Sequence, residues 1–205
     1  MPVAERMQDD ALLRPALLRA AVSLIEEQGI GAVSVREAAK RAGAAPCEPF
    51  NYFATKAELL TAIAEEAMAG LVTSLQAAIL DASHSSAMNQ CRASGHAFLR
   101  WAFDNPVHFQ VMSTHSMLDL ENSGLAAGHQ SIRAGLKRLI TAAAADGDLY
   151  CVSVEDTLLA ARAFLYGLAR MQIDGQLPGW GISRETALDT MQRLFDNYLF
   201  RMRRR

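Results

Sequence analysis

Residues 17–60 contain a long amphipathic segment, a glycine, a short capped segment, an Ala-Gly turn and a second capped segment. Leu17, Ala21 and Leu24 recur at the spacing that lines one face of an α-helix. Gly29 follows at a position where a left-handed residue would end that helix. The pattern therefore predicts several short helices joined by tight turns.

Two capping boxes mark where later helices begin. Ser34 and Thr55 are each followed three residues later by a glutamate, a spacing in which the two side chains satisfy backbone N–H groups of the first helical turn. We expect helices over 34–41 and 55–80. The segment 45–52 between them is predicted to form a short projecting helix. A helix-turn-helix uses such a helix to enter a DNA major groove.

The composition favours an all-α fold. Apolar residues make up 51% of the 205 residues but aromatic residues only 7%, because alanine and leucine are abundant. Both residues lose little freedom on entering a helix, and no run of alternating β-branched residues indicates a sheet. The net charge is −2, so a DNA-binding face would need basic groups clustered on one surface.

The cysteines and the N-terminal sequence favour a soluble cytoplasmic protein. Cys47, Cys91 and Cys151 are far apart and form no CxxC pair, which fits a reducing compartment better than a disulfide framework. The chain shows no signal-peptide core and no long uninterrupted apolar run, so we predict no membrane association. The histidines lack metal-ligand spacing, and neither a metal nor another cofactor is expected.

One set of residues between positions 14 and 60 has the order and spacing of a known DNA-binding domain. It comprises Arg14, Leu17, Leu18, Ala20, Ala21, Gly29, Ser34, Val35, Arg36, Glu37, Ala39, Ala42, Gly43, Phe50, Tyr52, Phe53, Lys56, Leu59 and Leu60. Through this set the segment resembles the DNA-binding domain of the TetR family of transcriptional regulators. The resemblance implies a homodimer that binds a palindromic operator in double-stranded DNA. It also implies a small-molecule effector in the C-terminal domain that releases the protein from DNA.

The DNA-binding residues that we predict surround the short projecting helix. Lys56 is the first candidate for a phosphate contact, because free N–H groups in the first turn of a helix also favour an anion. Phe50 and Phe53 are expected to pack inward and hold the helix at its angle. The full predicted set is Ser34, Arg36, Lys40, Ala45, Pro46, Cys47, Glu48, Phe50, Asn51, Tyr52 and Lys56.

Several positions depart from the family pattern. Ala45 stands where the family usually has a serine, so a hydroxyl that could cap the helix is missing. Glu48 brings a carboxylate near the phosphates, although glutamate can also accept a hydrogen bond from cytosine. A second hypothesis therefore stays open, namely a helical ligand-binding or protein-interaction module with weakened DNA binding. An enzyme is least favoured, because no phosphate-binding loop, nucleophile elbow or close acid pair is present.

The domain prediction assigns residues 1–54 to the helix-turn-helix and 55–205 to a helical effector-binding and dimerisation domain. About nine helices are expected, and the long helix 55–80 connects the two domains. Small ligands favour apolar pockets that contain a few polar groups, so we predict a largely apolar effector. The candidate effector-binding residues are Phe98, Trp101, Phe109, Met112, His115, Phe164 and Met171.

The last two predicted helices carry large apolar residues on more than one face. One face suffices to contact the core, so the second predicts a symmetric four-helix contact between two copies. In the first of these helices, residues 166–169 also resemble the Trp-His-Gly signature of one TetR subgroup. The predicted dimer residues are Leu165, Leu168, Leu188, Met191, Phe195 and Leu199.

Overall fold

The computed structural model describes residues 3–45, 48–150 and 153–203, with side chains described from residue 12 onward. This part of the chain is all-α, as predicted, and has an isolated bridge between Leu149 and Arg203 in place of any strand. Eight α-helices are present: α1 (Val3–Gln28), α2 (Val35–Ala42), α3 (Lys56–Asp81), α4 (Ala87–Asp104), α5 (Pro106–Ser113), α6 (Leu125–Ala145), α7 (Val154–Ile173) and α8 (Arg184–Met202). Four 3-10 helices accompany them: Ile30–Ala32, Glu48–Asn51, His115–Met117 and Leu177–Trp180.

The difference from the expected nine helices lies in the segment 45–52. Among the residues that the structure describes in this segment, Glu48–Asn51 is helical, and it forms a 3-10 turn, which we call the reading turn. Pro49 lies inside it and has no N–H to donate, so a regular α-helical ladder cannot run through this segment. The N–H groups of Tyr52 and Phe53 both donate to the Pro49 carbonyl, at 3.0 Å each, and close the turn.

Helix α1 begins earlier than the sequence indicated. A proline is readily accepted in the first turn of a helix, but this helix starts at Val3 and Pro15 lies inside it. Good helix formers precede the proline and extend the helix toward the N-terminus. At the other end, Gly29 has a φ of 82° and a ψ of 164°, so it ends the helix in a positive-φ conformation that essentially only glycine adopts, and not in the left-handed helical one.

The described chain forms two compact units. The first comprises Met1–Ala67 and Val107–Leu125, and the second comprises Met68–Pro106 and Ala126–Arg205. The first unit therefore contains the start of α3 and a segment from the middle of the chain, in addition to the predicted helix-turn-helix. The predicted boundary at residues 54 and 55 stays a prediction.

The first unit is built around the apolar face of α1. Leu17 and Ala21 are fully buried, as are Leu59 and Leu60 from the first turns of α3. Each fully buried large side chain stabilises a fold by about 1.5–3 kcal/mol relative to exposure. At the end of α2, Gly43 adopts the left-handed conformation and closes the helix with its own N–H, a role that glycine fulfils at little steric cost.

Helix α3 is long and apolar enough to cross a membrane by length and composition alone. Its residues Leu59, Leu60 and Ile63 are fully buried within the first unit, and Leu71 and Leu75 are buried as well. Leu80 near the end of α3 is 71% exposed, but the five residues above are covered by the protein itself, as in a core helix. We therefore assign α3 to the core.

The core of the second unit depends on a close approach of α4 to α8. Gly95 lies on α4 where an added Cβ atom would stand 2.0 Å from Cε1 of Phe195. Phe195 is 2% exposed and packs near Tyr198, whose ring stacks at 4.9 Å on Phe164 of α7. Cys91 also lies on α4, and burial raises the pKa of its thiol to about 11, so this thiol stays protonated at neutral pH.

A charged network also joins α4 to α8. Arg92 donates two hydrogen bonds to the carboxylate of Asp196, at 2.6 and 2.7 Å, and Nε2 of His96 lies 2.8 Å from the same carboxylate. These hydrogen bonds, with that of Arg92 the stronger, hold the pKa of Asp196 below its usual value. A carboxyl whose pKa is lowered on folding stabilises the protein above its unfolded pKa, and this contribution disappears as the pH falls through the folded pKa.

Replacing Asp196 with asparagine should therefore lower stability at pH 7 but not in strong acid. We expect a loss of about 1 kcal/mol or less at pH 7, because solvent reaches the pair. The difference from wild type should shrink below about pH 4, near the ordinary pKa of aspartate. Urea unfolding at both pH values measures it, with the exposed Asp189→Asn as the control. An equal loss at both pH values would contradict a role for the charge.

Candidate nucleic-acid interface

The helix-turn-helix region begins at a side-chain cap. Ser34 precedes α2 in an extended conformation, and its hydroxyl oxygen accepts a hydrogen bond of 3.2 Å from the N–H of Glu37. The second capping box forms similarly, since Thr55 accepts from the N–H of Glu58 at 3.1 Å. The Glu58 carboxylate accepts from Ala54 at 2.8 Å. These local bonds set where α2 and α3 begin on either side of the reading turn.

Glu48 caps the reading turn. Its carboxylate accepts a hydrogen bond of 3.1 Å from the N–H of Ala45, while its own N–H donates to the Ala45 carbonyl at 3.2 Å. The missing hydroxyl at position 45 is thus partly replaced by a side chain three residues later. From the sequence, Glu48 is expected to lie near the phosphates or to contact a cytosine, and the cap is a further role. The signal for the cap was the same three-residue spacing that marks the two capping boxes.

The two phenylalanines of this segment face opposite ways. Phe53 is 3% exposed, as predicted, but Phe50 is 42% exposed, so the expectation that both pack inward is wrong for Phe50. Pro49 is fully buried and occupies the inward position of the turn. Because a 3-10 helix rotates about 120° per residue, the next residue faces outward. Phe50 is therefore available to a partner.

Lys56 is held by the protein itself. Its ammonium group donates to the carbonyl oxygens of Ile30, at 2.8 Å, and Gly31, at 3.0 Å. These carbonyls belong to the 3-10 turn after α1, where backbone acceptors have no helical partner. An ammonium group has three donors, so two of them are engaged here. In this structure Lys56 braces the turn, and its assignment as the first phosphate contact stays a prediction.

Replacing Lys56 with alanine should therefore lower the stability of the first unit. We expect a loss of about 1.5 kcal/mol or more, because two carbonyls lose hydrogen bonds to a charged donor. The matched control is Lys40→Ala, since Lys40 is exposed on α2 and should change the melting temperature little. Thermal unfolding measures both variants. Equal melting temperatures for the two variants would contradict the bracing role.

Two exposed cations remain for a partner on α2. Arg36 and Lys40 lie four residues apart, on one face of the helix, and neither forms a salt bridge with a described residue. In contrast, the guanidinium of Arg41 pairs with Glu27 through two hydrogen bonds of 2.6 Å. Arg14 lies 5.5 Å above the ring of Phe53, at cation–π distance. The charge that this region offers to DNA is thus concentrated on α2.

The remaining predicted DNA-binding residues lie in or beside the reading turn. Ala45 and Asn51 are exposed, and Tyr52 is half-buried at the end of the turn. Pro46 and Cys47 lie outside the described residues. The structure therefore brings Phe50 and Asn51 together on an exposed turn, with Arg36 and Lys40 on the preceding helix. It assigns Ser34, Glu48 and Lys56 to caps and braces.

The predicted effector residues divide between the two units. Phe109 and Met112 are buried in the first unit and His115 is exposed there. The other four belong to the second unit. Trp101 is buried there, and Phe98, Phe164 and Met171 are half-buried. The described residues contain no group of three or more His, Cys, Asp and Glu side chains that could hold a metal ion.

The predicted dimer residues are largely covered by the chain's own core. Met191 is 1% exposed and Phe195 is 2% exposed, so a second copy can gain little contact with them. Leu168 on α7 and Leu199 on α8 are also buried, because α4 packs against both of these helices. Only Leu165 and Leu188 are half-buried. A dimer surface would have to use other residues of α7 and α8, and we revise the prediction accordingly.

Comparisons with known proteins place the chain in a family. Residues 17–63 match the model of bacterial regulatory proteins of the tetR family, and residues 91–195 match the tetracyclin repressor-like C-terminal domain. None of the curated proteins matches the chain. Among solved structures, a Rhodococcus sp. RHA1 protein of unknown function is 25% identical with a TM-score of 0.73, covering 89% of this chain and 93% of that one.

Two further structures carry the family's name. A TetR-family regulatory protein from Rhodococcus RHA1 is 21% identical with a TM-score of 0.69, and PfmR, a TetR-family transcriptional regulator from Thermus thermophilus, is 21% identical with a TM-score of 0.72. In each case the alignment covers 89% of this chain and 96% of the other. At this identity the structures show the fold alone. Because the C-terminal family model spans half of the chain and the N-terminal model covers the helix-turn-helix, this protein belongs to the TetR family of transcriptional regulators.

Proposed function

We propose that this protein is a cytoplasmic repressor that binds a palindromic operator as a homodimer and leaves it when a small molecule binds. The observation that carries the proposal is the exposed reading turn beside two exposed cations. Phe50 and Asn51 face outward on the turn, and Arg36 and Lys40 are exposed on α2. Cations position such a helix against phosphates, while the side chains of the turn meet base edges.

The proposed dimer surface lies on the exposed face of α7. Leu159 is 66% exposed, and Ala163 and Gly167 follow it at four-residue spacing with Tyr166 beside them. Nothing lies within 4 Å of a Cβ added at Gly167. Small residues on a helix face allow another helix to approach closely, and the exposed leucine gains from being covered. Of the residues 166–169 that resemble the Trp-His-Gly signature, Tyr166 and Gly167 lie on this face, whereas Leu168 and Ala169 are buried.

Release by an effector needs a connection between its binding site and the reading turn. The segment Val107–Leu125, which carries three predicted effector residues, belongs to the same compact unit as the reading turn. It is tied to α3 by hydrogen bonds from the Asp119 N–H to Thr61, at 2.8 Å, and from the Gly124 N–H to Glu65, at 2.7 Å. A ligand that moves this segment would shift the DNA-binding unit between two states, to the extent of its differential affinity for them.

A second candidate function is a ligand-binding or interaction module with weakened DNA binding. The carboxylate of Glu48 in the reading turn repels phosphates. Lys56 uses two of its three ammonium donors in hydrogen bonds to its own protein. Both observations reduce the affinity for DNA that the family pattern leads one to expect. The module hypothesis therefore differs from the repressor hypothesis in one measurable quantity, the affinity for DNA.

Fluorescence anisotropy with the intergenic DNA upstream of the protein's own gene distinguishes the two. We expect binding that depends on sequence and weakens steeply between about 50 and 200 mM salt, because released counterions drive association with DNA. A scrambled fragment of equal length is the control. If both fragments remain unbound at the lower salt concentration, the module hypothesis replaces the repressor hypothesis.

A further inference from the structure

A groove in the second unit is assigned to no function so far. It lies between the first two turns of α4 and the last two turns of α8, and its volume is about 280 Å³. This volume is close to the lower end of small-molecule pockets, about 300 Å³. Its lining residues are Met88, Asn89, Arg92, Asp196, Asn197, Leu199, Phe200 and Arg203.

The charges of the groove leave one cation uncompensated. Asp196 is already bound by both hydrogen bonds of Arg92, so these two charges compensate each other. Arg203 forms no salt bridge with any residue in the described part of the chain. Among the described lining residues, Arg203 is therefore a cation without an ion-pair partner, and it complements a negatively charged group on a ligand. Guanidinium groups bind carboxylates through two parallel hydrogen bonds.

The backbone that carries Arg203 is held in place. The N–H of Tyr150 donates to the carbonyl of Met202 at 2.8 Å, and Leu149 forms the isolated bridge with Arg203. The loop after α6 thus ties down the end of α8. A fixed attachment point reduces the freedom that the arginine loses when it binds a ligand.

The other side of the groove is apolar. Phe200 is 72% exposed although it is a large aromatic residue, and Met88 and Leu199 are buried beside it. Covering apolar surface stabilises a complex by roughly 25 cal/mol per Å². The described residues of the groove therefore combine an apolar surface with the uncompensated guanidinium of Arg203.

We propose that this groove binds a small amphiphilic monocarboxylate, such as a medium-chain alkanoate, with the carboxylate on Arg203 and the alkyl chain against Phe200. The apolar residues account for the alkyl chain, and the guanidinium of Arg203 accounts for the carboxylate, which it can bind through two parallel hydrogen bonds. The groove is lined only by residues of the second unit, and its occupation does not depend on DNA binding.

Isothermal titration of the full-length protein with octanoate, without DNA, tests the proposal. We expect saturable binding, at least tenfold weaker for Arg203→Gln and similarly weaker for Phe200→Ser. The matched control is Arg201→Gln, because Arg201 is an exposed arginine of the same helix that does not line the groove. Octanol, which has the chain without the charge, should bind at least tenfold more weakly than octanoate.

Three results would overturn the proposal. One is the absence of octanoate binding to the wild type, and another is unchanged affinity in Arg203→Gln, which would locate the carboxylate elsewhere. The third is dissociation of a wild-type dimer by Phe200→Ser in analytical ultracentrifugation, which would make the groove a contact between copies. DNA anisotropy of Arg203→Gln separates this proposal from the repressor proposal, since operator affinity without octanoate should match wild type.

Discussion

Replacing Gly95 with alanine should lower the stability of the protein by about 1–3 kcal/mol, the usual cost of overpacking a core. The added Cβ would stand 2.0 Å from Cε1 and 2.5 Å from Cζ of Phe195. Both atoms belong to a rigid ring that is 2% exposed, so the ring cannot swing into solvent. Either α4 and α8 separate or the ring leaves its preferred rotamer. For a chain of this size, each kcal/mol corresponds to about 2–4 °C in melting temperature.

The matched control is Gly135→Ala, because Gly135 lies inside α6 with nothing within 4 Å of an added Cβ. Alanine there should raise stability by roughly 0.5–1 kcal/mol, since glycine is the poorer helix former. Differential scanning calorimetry of both variants measures the contrast. Adding Phe195→Leu to Gly95→Ala should recover part of the loss, giving a double-mutant coupling between the two sites. If both glycine variants are stabilised, α4 and α8 are not in close contact.

Replacing both Arg36 and Lys40 with alanine should weaken operator binding about 100-fold at low salt. We expect roughly a tenfold loss for each residue, which corresponds to about 1.4 kcal/mol. Each phosphate contact releases about 0.9 counterions from DNA, so the loss of two contacts should lower the slope of log affinity against log salt by about 2. Both side chains are exposed and without ion pairs among the described residues, so the melting temperature should change little.

Fluorescence anisotropy at several salt concentrations measures the affinity and the slope together. The charge-matched control replaces two arginines, Arg100 and Arg138, that are exposed on α4 and α6 of the second unit. This control should leave the slope unchanged, because these residues lie outside the predicted DNA face. Asn51→Ala should instead change the preference among DNA sequences and keep the slope. An unchanged slope in the Arg36 and Lys40 variant would show that α2 does not contact phosphates.

Local signals in the sequence predicted where α2 and α3 begin and where α2 ends. Ser34 and Thr55 cap their helices through residues three positions away, and Gly43 closes α2 through its own backbone. Such interactions join residues within one turn, so a short window of sequence contains all the partners. The family resemblance over residues 14–60 depends on the same local pattern and agrees with the family model that matches 17–63.

Contacts between distant residues could not be predicted in this way. Lys56 binds carbonyls that lie 25 and 26 residues earlier in the chain, so no nearby residue in the sequence indicates these hydrogen bonds. The bond between Arg92 and Asp196 spans 104 residues, and it belongs to the contact of α4 with α8. That contact buries Met191 and Phe195, which the sequence had assigned to a partner copy.

The sequence by itself determined that the chain is helical, where α2 and α3 begin and end, and which family it belongs to. Periodicity, capping and turn residues act over a few positions, and their physics is complete within the segment. The tertiary structure decided which charged and apolar side chains remain available to a partner, among them Arg36, Lys40, Phe50 and Phe200. A side chain can contact a partner only where its own protein has not already buried it or bound its polar groups. Packing between distant parts of the chain decides this.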